Sequence, residues 1–208
     1  MIECAPPMGL APMKGASLAG ALVKAEGHAA DSKTSEVFMV PVTDLWLPIL
    51  VSAVFVFVAS SIIHMVFKYH HADWKRLPSH DDVQEAMRRF AVAPGDYHAR
   101  SDKGPNFIIT IFPPGQSGMG KNLVMWVLYS ILIGVFAGYV AGEALGPGAR
   151  YPRVFQFAGT VAFCGYSLAL MPQSIWYNRK WSTTLVSMFD GLIYGLLTAG
   201  TFGWLWPK

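Results

Sequence analysis

Four long runs of apolar residues dominate the pattern of hydrophobic and polar positions along this chain. Residues 45–67, 123–142 and 154–178 contain no Asp, Glu, Lys or Arg, and residues 183–207 contain only Asp190. A helix needs about 20 apolar residues to cross a bilayer core, and each run supplies that length. Because a soluble core helix rarely stays apolar on all sides for so long, the pattern predicts four transmembrane helices.

The predicted fold class is an all-α membrane protein, a four-helix antiparallel bundle. The expected spans are about residues 45–67, 123–145, 154–173 and 183–206, within a membrane domain of residues 39–208. Short connections between the second and third spans and between the third and fourth favour antiparallel neighbours. Composition agrees with this class, because 53% of the residues are hydrophobic and only 14% are charged, against about 25% charged in soluble domains.

The one sizeable polar region, residues 68–122, lies between the first two spans. Ser79, followed by Asp81 and Asp82, is typical of a helix start, and the Ala-Pro-Gly stretch at 93–95 is typical of a stop. Residues 97–100 and 106–112 flank a turn-forming stretch and predict a β-hairpin. The region therefore reads as a small helix-plus-hairpin insertion.

Residues 1–38 differ from the rest of the chain, since they are rich in Ala, Gly, Pro and Met. They predict a poorly structured tail. Three alternatives stay open: a signal peptide around the apolar patch at 16–23, a true start at Met39, and an ordered docking arm against a partner protein.

The Lys and Arg residues predict the orientation. Ten of them fall on the side that holds residues 68–122 and the loop between spans three and four, and six fall on the other side. The positive-inside rule therefore places the polar segment in the cytoplasm and both termini outside. The net charge of +3, carried by scattered residues, is too small to indicate nucleic-acid binding.

Small residues recur at every fourth position of the second span, a spacing that lets helix backbones approach closely in lipid. The fourth span has small residues at the same spacing. Internal packing of the bundle is the simpler interpretation, and docking onto another membrane subunit or a second copy of the chain is the alternative. The helix-packing residues are Ser130, Gly134, Gly138, Gly142, Gly191 and Gly195.

Polar residues within the spans fall on helical stripes, which we expect to face the bundle interior because unpaired polar groups are costly in hydrocarbon. Interhelical hydrogen bonding is the simpler interpretation, and a solute or proton path is the alternative. The stripes consist of Ser60 with His64, of Gln156, Thr160, Cys164 and Ser167, and of Asp190, Tyr194, Thr198 and Thr201.

Asp190 is the most informative single residue, because an intramembrane carboxylate must be paired, protonated or close to an interface. His64 lies at a similar expected depth. We therefore predict that His64 and Asp190 face each other, or share Ser60 or Tyr194 as a bridge. A structural polar pair and a proton-handling pair both fit this pattern.

No catalytic residue and no cofactor are predicted. His70, His71 and Asp73 form a tight juxtamembrane cluster of nitrogen and carboxylate ligands, yet their spacing matches no established metal motif. A bis-histidine haem needs two embedded histidines, and His64 alone qualifies. The two cysteines, Cys4 and Cys164, lie in unrelated regions, so we expect no disulfide between them.

Two stretches, residues 44–64 and 189–207, resemble the start and end of a family of uncharacterised bacterial four-helix inner-membrane proteins. The resemblance covers residues 39–208 and implies a bacterial inner-membrane location. It carries no activity.

Three functions fit the sequence. A non-enzymatic accessory subunit of a larger membrane complex would use the glycine faces, and a small transporter or proton-coupled channel component would use the polar stripes around His64 and Asp190. A membrane enzyme would use the cluster at 70–73 with a metal ion. The lipid bilayer is the predicted partner of all three, together with other subunits or further copies of the chain.

Overall fold

The computed structural model describes residues 39–113, 115 and 118–208, apart from the side chains at positions 71 and 72. The tail expected at residues 1–38, with its open alternatives, therefore lies outside the described residues. Within the described part, the chain forms six α-helices and two β-strands: α1 (Trp46–Val66), α2 (His80–Arg89), β1 (Gly95–Ala99), β2 (Phe107–Ile111), α3 (Met119–Ala144), α4 (Tyr151–Tyr166), α5 (Met171–Tyr177) and α6 (Trp181–Trp204).

Four helical segments are long and apolar enough to cross a membrane, as the sequence predicts. They are Val42–Val66, Met119–Ala144, Tyr151–Tyr177 and Trp181–Trp204, with 25, 26, 27 and 24 residues. At 1.5 Å per residue, the shortest is about 36 Å long and exceeds the thickness of a bilayer core. Many large apolar side chains on their outer faces are exposed, as lipid contact requires.

The third segment is not one continuous α-helix. It comprises α4, a 3₁₀ turn at Leu168–Leu170 and α5, and it continues to Tyr177, four residues past its expected end at 173. Pro172 lies in the first turn of α5. Since proline has no N–H and clashes with the carbonyl four residues earlier, the α-helical ladder cannot pass through this position unchanged.

Small residues allow the long helices to approach one another closely. Helix α4 packs most extensively on α6, α1 packs on α3 and on α6, and α3 also packs on α4. A β-carbon added at Gly159 would lie 2.8 Å from Cβ of Ala199, and one added at Gly195 would lie 3.3 Å from the backbone nitrogen of Phe163. Such spacing favours close helix association in lipid.

The polar region between α1 and α3 contains the expected short helix and hairpin. Strands β1 and β2 are antiparallel, with Gly95 opposite Ile111 and Ala99 opposite Phe107. No residue of α2 is buried. The expected cap at Ser79 differs, because Ser79 has a left-handed φ of 47° and makes no capping hydrogen bond through its side chain.

Candidate functional site at one end of the long helices

A 3₁₀ turn directly after α1 brings two side chains onto α6. The turn spans Lys68–Ala72 and contacts α6. The hydroxyl of Tyr69 donates to Oδ1 of Asp190 at 2.5 Å, and Nε2 of His70 lies 2.7 Å from Oδ2 of the same carboxylate. Both oxygens of Asp190 therefore have a close partner from one short turn.

Asp190 is buried deep in α6. It follows Trp181 by nine positions, which corresponds to about 13 Å along the helix, and it is 3% exposed. Removing a carboxylate from water is costly unless it is paired and hydrogen-bonded. The hydrogen bond from the hydroxyl of Tyr69 supplies part of that compensation.

His70 stands between two carboxylates. Its Nδ1 is hydrogen-bonded to Oδ2 of Asp73 at 2.7 Å, and its Nε2 approaches Asp190 at the same distance. The second contact is close but poorly directed: Nε2 is buried and, within the described part of the chain, makes no hydrogen bond of suitable geometry. The nitrogen and the oxygen therefore lie side by side rather than as donor and acceptor.

His64, in the last turn of α1, stacks on the ring of His70. The ring centroids are 4.6 Å apart and the planes differ by 8°. Its Nδ1 lies 2.9 Å from the carbonyl oxygen of Ser60. A carbonyl oxygen only accepts, so Nδ1 carries the hydrogen and Nε2 is the nitrogen left available.

His64, His70 and Asp190 together make a compact set of possible ligands. One ligand atom from each residue lies within 4.8 Å of the other two. This set differs from the juxtamembrane cluster that the sequence indicated. Asp73 bonds to Nδ1 of His70, whereas Asp190 approaches Nε2, so Asp73 is not one of the three possible ligands. The side chain of His71, the third member of that cluster, lies outside the described residues.

The phenol of Tyr69, outside the spanning segments, is strongly affected by its surroundings. Burial first, and then the hydrogen bond and negative charge of Asp190, raise the pKa of Tyr69 to about 12. Each of these effects disfavours a phenolate beside a carboxylate. Tyr69 therefore keeps its proton and remains a donor to Asp190 at physiological pH.

A cavity of about 630 Å³ adjoins this centre. His64, Asp190 and Tyr194 line it together with further aromatic side chains, and Met65 and Met119, at helix ends, are 81% and 73% exposed. The cavity therefore reaches the helix ends on this side. The full lining is Phe57, Ser60, Ser61, His64, Met65, Met119, Leu123, Trp126, Tyr129, Tyr166, Leu170, Ser187, Asp190 and Tyr194.

The polar groups of the cavity wall are only partly satisfied. The indole nitrogen of Trp126 donates to Oγ of Ser60 at 2.9 Å. The hydroxyl of Tyr194 is buried and has no hydrogen-bond partner among the described residues. A buried hydroxyl without a partner is energetically costly. A ligand or a water molecule bound in the cavity would satisfy the hydroxyl of Tyr194.

The cavity stops before the opposite half of the helices. We call that opposite part the closed half and the part around the cavity the open half. None of the closed-half residues lines the cavity. The closed half is the apolar cluster Val40, Leu45, Ile49, Ala137, Ala141, Val154, Ala158, Phe202 and Trp206.

The small residues singled out in the second and fourth spans contact other parts of the same chain. A β-carbon at Gly134 would lie 3.3 Å from Ile49, and one at Gly138 would lie 3.2 Å from the ring of Phe202. Added β-carbons at Gly142 and Gly191 would overlap the carbonyl oxygens of Val40 and Tyr166. Ser130 is also buried.

The stripe on the fourth span is buried, with Asp190, Tyr194, Thr198 and Thr201 each at most 5% exposed. The stripe on the third span differs from the expectation, because Gln156, Thr160 and Cys164 are exposed and only Ser167 is buried. The buried face of α4 is instead formed by Val154, Ala158, Ala162 and Tyr166. Because Gln156 follows Val154 by two positions, about 200° around the helix, the polar stripe lies on the opposite side.

The expected pairing of His64 and Asp190 also takes a different form. The two residues are close, yet the direct partners of Asp190 are His70 and Tyr69. Neither Ser60 nor Tyr194 bridges them, since Ser60 accepts from Trp126. The sequence does not predict that Tyr69 contacts Asp190, because this contact depends on the turn after α1 folding back onto α6. The Lys-Tyr-His-His order at 68–71 has no periodic pattern that would indicate it.

No family model, curated protein or solved structure matches this chain. The class that the fold defines is a multi-pass membrane protein with four helices able to span the bilayer.

Proposed function

We propose that this chain is a small transport component of a bacterial inner membrane, which binds a solute or ion in the cavity beside Asp190. The observation that carries the proposal is the cavity itself, which extends from the helix ends to a buried carboxylate. Ionisable residues inside membrane proteins are expensive and commonly mark substrate or ion sites.

The chemistry of the cavity favours binding over simple structural packing. Most of its wall is aromatic or aliphatic, with a few polar groups converging at one end, which is the usual character of a small-molecule site. A purely structural polar pair would need no free volume next to it. Here the free volume extends to His64, to Asp190 and to the unpartnered hydroxyl of Tyr194.

The accessory-subunit function has less support. It depends on glycine faces that are free to dock onto a neighbour, and the α3 glycines at 134, 138 and 142 face Ile49, Phe202 and Val40 of the same chain. Gly191 and Gly195 similarly face α4 and the residue after it. These glycine faces already pack against other parts of the chain. The polar centre around Asp190 therefore supports transport more strongly than the glycine faces support an accessory subunit.

The proposed topology is an antiparallel bundle with residues 68–122 in the cytoplasm and both termini outside, as the Lys and Arg distribution favours. The cavity would then open toward the cytoplasm. A cysteine at exposed Lys103, in the turn between β1 and β2, should react with a membrane-impermeant thiol reagent only after the membrane is permeabilised and the reagent reaches the cytoplasmic side. A cysteine at Lys208 should react from outside.

Access to the cavity tests the function. On a background with Cys4 and Cys164 replaced by serine, Ser187→Cys should react quickly with a small cationic methanethiosulfonate, because Ser187 lines the cavity. Val124→Cys is the control, since Val124 is 59% exposed on the outer face at a similar distance from its helix end. Asp190→Asn should slow the reaction of Ser187→Cys by weakening attraction of the cation.

Equal, slow reaction of the cysteines at 187 and 124 would contradict the proposal, because the cavity would then be closed to solutes. Retention of the full rate in Asp190→Asn would contradict the role given to the carboxylate.

A further inference from the structure

We propose that His70, Asp190 and His64 bind a divalent transition-metal ion at the wall of the cavity. The inference deepens the proposed function by naming the class of ion, and it rests on that function only for the ion's role in transport. The site itself rests on the positions of five side chains at the end of the open half.

The contact between His70 and Asp190 is the first argument. Nε2 and Oδ2 lie 2.7 Å apart, yet the nitrogen makes no well-directed hydrogen bond. Two ligands of one tetrahedral metal ion, each at about 2.0–2.2 Å from it, lie side by side about 3.4 Å apart. The pair is therefore arranged like neighbouring ligands, and the two atoms must move apart by about 0.7 Å to admit the ion.

The partners behind these ligands are the second argument. Metal-binding histidines commonly donate their other ring N–H to a carboxylate, which fixes the ring and strengthens the ligand. Nδ1 of His70 makes this contact with Asp73 at 2.7 Å. Ligating carboxylates are likewise hydrogen-bonded, and Tyr69 donates to the second oxygen of Asp190.

His64 supplies the third ligand after a change of ring orientation. A metal ion lies in the plane of each imidazole that binds it, and the rings of His64 and His70 are stacked with planes only 8° apart. His64 must therefore turn to join an ion held by His70. This makes His70 and Asp190 the anchoring ligands and His64 the adjustable one.

The ligand types select the ion. Two imidazole nitrogens and one carboxylate suit zinc, cobalt, nickel and iron, whereas magnesium and calcium prefer oxygen ligands. Since His64 and Asp190 both line the cavity, the remaining coordination positions would face it. A water molecule or a bound solute can occupy those positions.

Cobalt titration of the purified full chain, without a histidine tag and after treatment with a chelator, tests the site. We expect one tightly bound Co²⁺ per chain, with a visible absorption band that added Zn²⁺ abolishes and added Mg²⁺ leaves unchanged. His70→Ala and Asp190→Asn should weaken binding at least about 100-fold, and Asp73→Asn about 10- to 100-fold. His64→Ala should weaken binding less than His70→Ala.

His98→Ala is the matched control, because His98 lies in β1 opposite Ile108 of β2; it should bind Co²⁺ like the wild type. Asp73→Asn keeps a side chain of the same size, so it tests the site even if His70→Ala does not fold. Absence of bound Co²⁺ in the wild type would overturn the proposal, as would full affinity in Asp190→Asn or loss of binding in His98→Ala.

The test separates this inference from the proposed function. If Ser187→Cys is accessible and Co²⁺ does not bind, the cavity stands and the metal site is wrong. If Co²⁺ binds through His70 and Asp190 while Ser187→Cys is inaccessible, the metal site stands and the transport role is wrong.

Discussion

The closed half and the open half of the long helices are built on different principles. In the closed half, Leu45, Val154 and Phe202 are fully buried, and Gly138 lets the ring of Phe202 approach α3 directly. In the open half, the helices surround a cavity of about 630 Å³ and a buried carboxylate. Close packing is a main source of helix association in lipid, so we expect the closed half to contribute more to the stability of the fold than the open half.

The ends of the chain segments reinforce this contrast. In the closed half, the backbone N–H of Val40 donates to Gly142 at 3.1 Å, and the indole of Trp206 donates to Gly146 at 3.1 Å. In the open half, Trp126 donates to Ser60 and Tyr69 donates to Asp190, while the buried hydroxyl of Tyr194 has no partner among the described residues. A region that gives up close packing for an open cavity commonly does so for function.

Truncation of a closed-half side chain should have the largest effect. Phe202→Ala should lower the free energy of unfolding by about 3–5 kcal/mol, because it leaves a cavity among fully buried neighbours. Leu123→Ala, which enlarges a cavity that already exists, should cost less than about 1 kcal/mol. Reversible unfolding in mixed micelles measures both values, and equal costs would break the distinction between the halves.

A methyl group added at the helix contact of the closed half should have the next largest effect. Gly142→Ala places a β-carbon against the carbonyl oxygen of Val40 and should cost about 1–3 kcal/mol through overpacking. Gly120→Ala is the control, since nothing lies within 4 Å of its added β-carbon. If Gly142→Ala were as stable as Gly120→Ala, the tight contact would be absent.

Filling the cavity should have the opposite sign. Ser187→Leu adds apolar volume to the open half, where the Ser187 hydroxyl bonds only to the carbonyl oxygen of Thr183 on its own helix. We expect stabilisation of about 0.5–1 kcal/mol, as for other cavity-filling changes, together with loss of solute access. Destabilisation comparable to that of Gly142→Ala would indicate that the open half is already packed.

The smallest expected effect concerns pH. The pKa of Tyr69 is raised from 10.0 to about 12, so its stabilising contribution is complete below pH 10 and is lost as the pH rises through about 12. Tyr69→Phe removes this contribution. The wild type should therefore unfold at a higher temperature than Tyr69→Phe below pH 10, and the difference should shrink above it. A difference that stays constant between pH 9 and 12 would contradict the contact with Asp190.

The spanning helices could be predicted from sequence because an uncharged run of this length has few alternatives in water. The hairpin could be predicted because turn residues bracket it. The sequence does not predict that the third span is interrupted before Pro172. A proline also lies in the first turn of α4, at Pro152, without interrupting that helix, so proline alone does not mark a break.

The candidate site was predicted only in part. Asp190 was conspicuous as the one charge in its run, and His64 aligned with it in depth. The contribution of His70 and Tyr69 depends on a 3₁₀ turn that folds back onto α6, and no local pattern encodes that tertiary contact. The stripe of α4 is exposed because the opposite face, which carries Val154, Ala158 and Ala162, packs into the protein, and a polar period alone does not show which of two faces is buried.

The depth of the cavity along α6 tests the division into two halves most directly. Ser187→Cys and Thr198→Cys would be compared in the cysteine-free background, with the small cationic reagent supplied on both sides of the membrane. Ser187 lines the cavity, whereas Thr198 is 1% exposed beyond it. We predict rapid reaction at position 187 and protection at position 198. Equal reaction at the two positions would contradict a cavity that ends at the closed half.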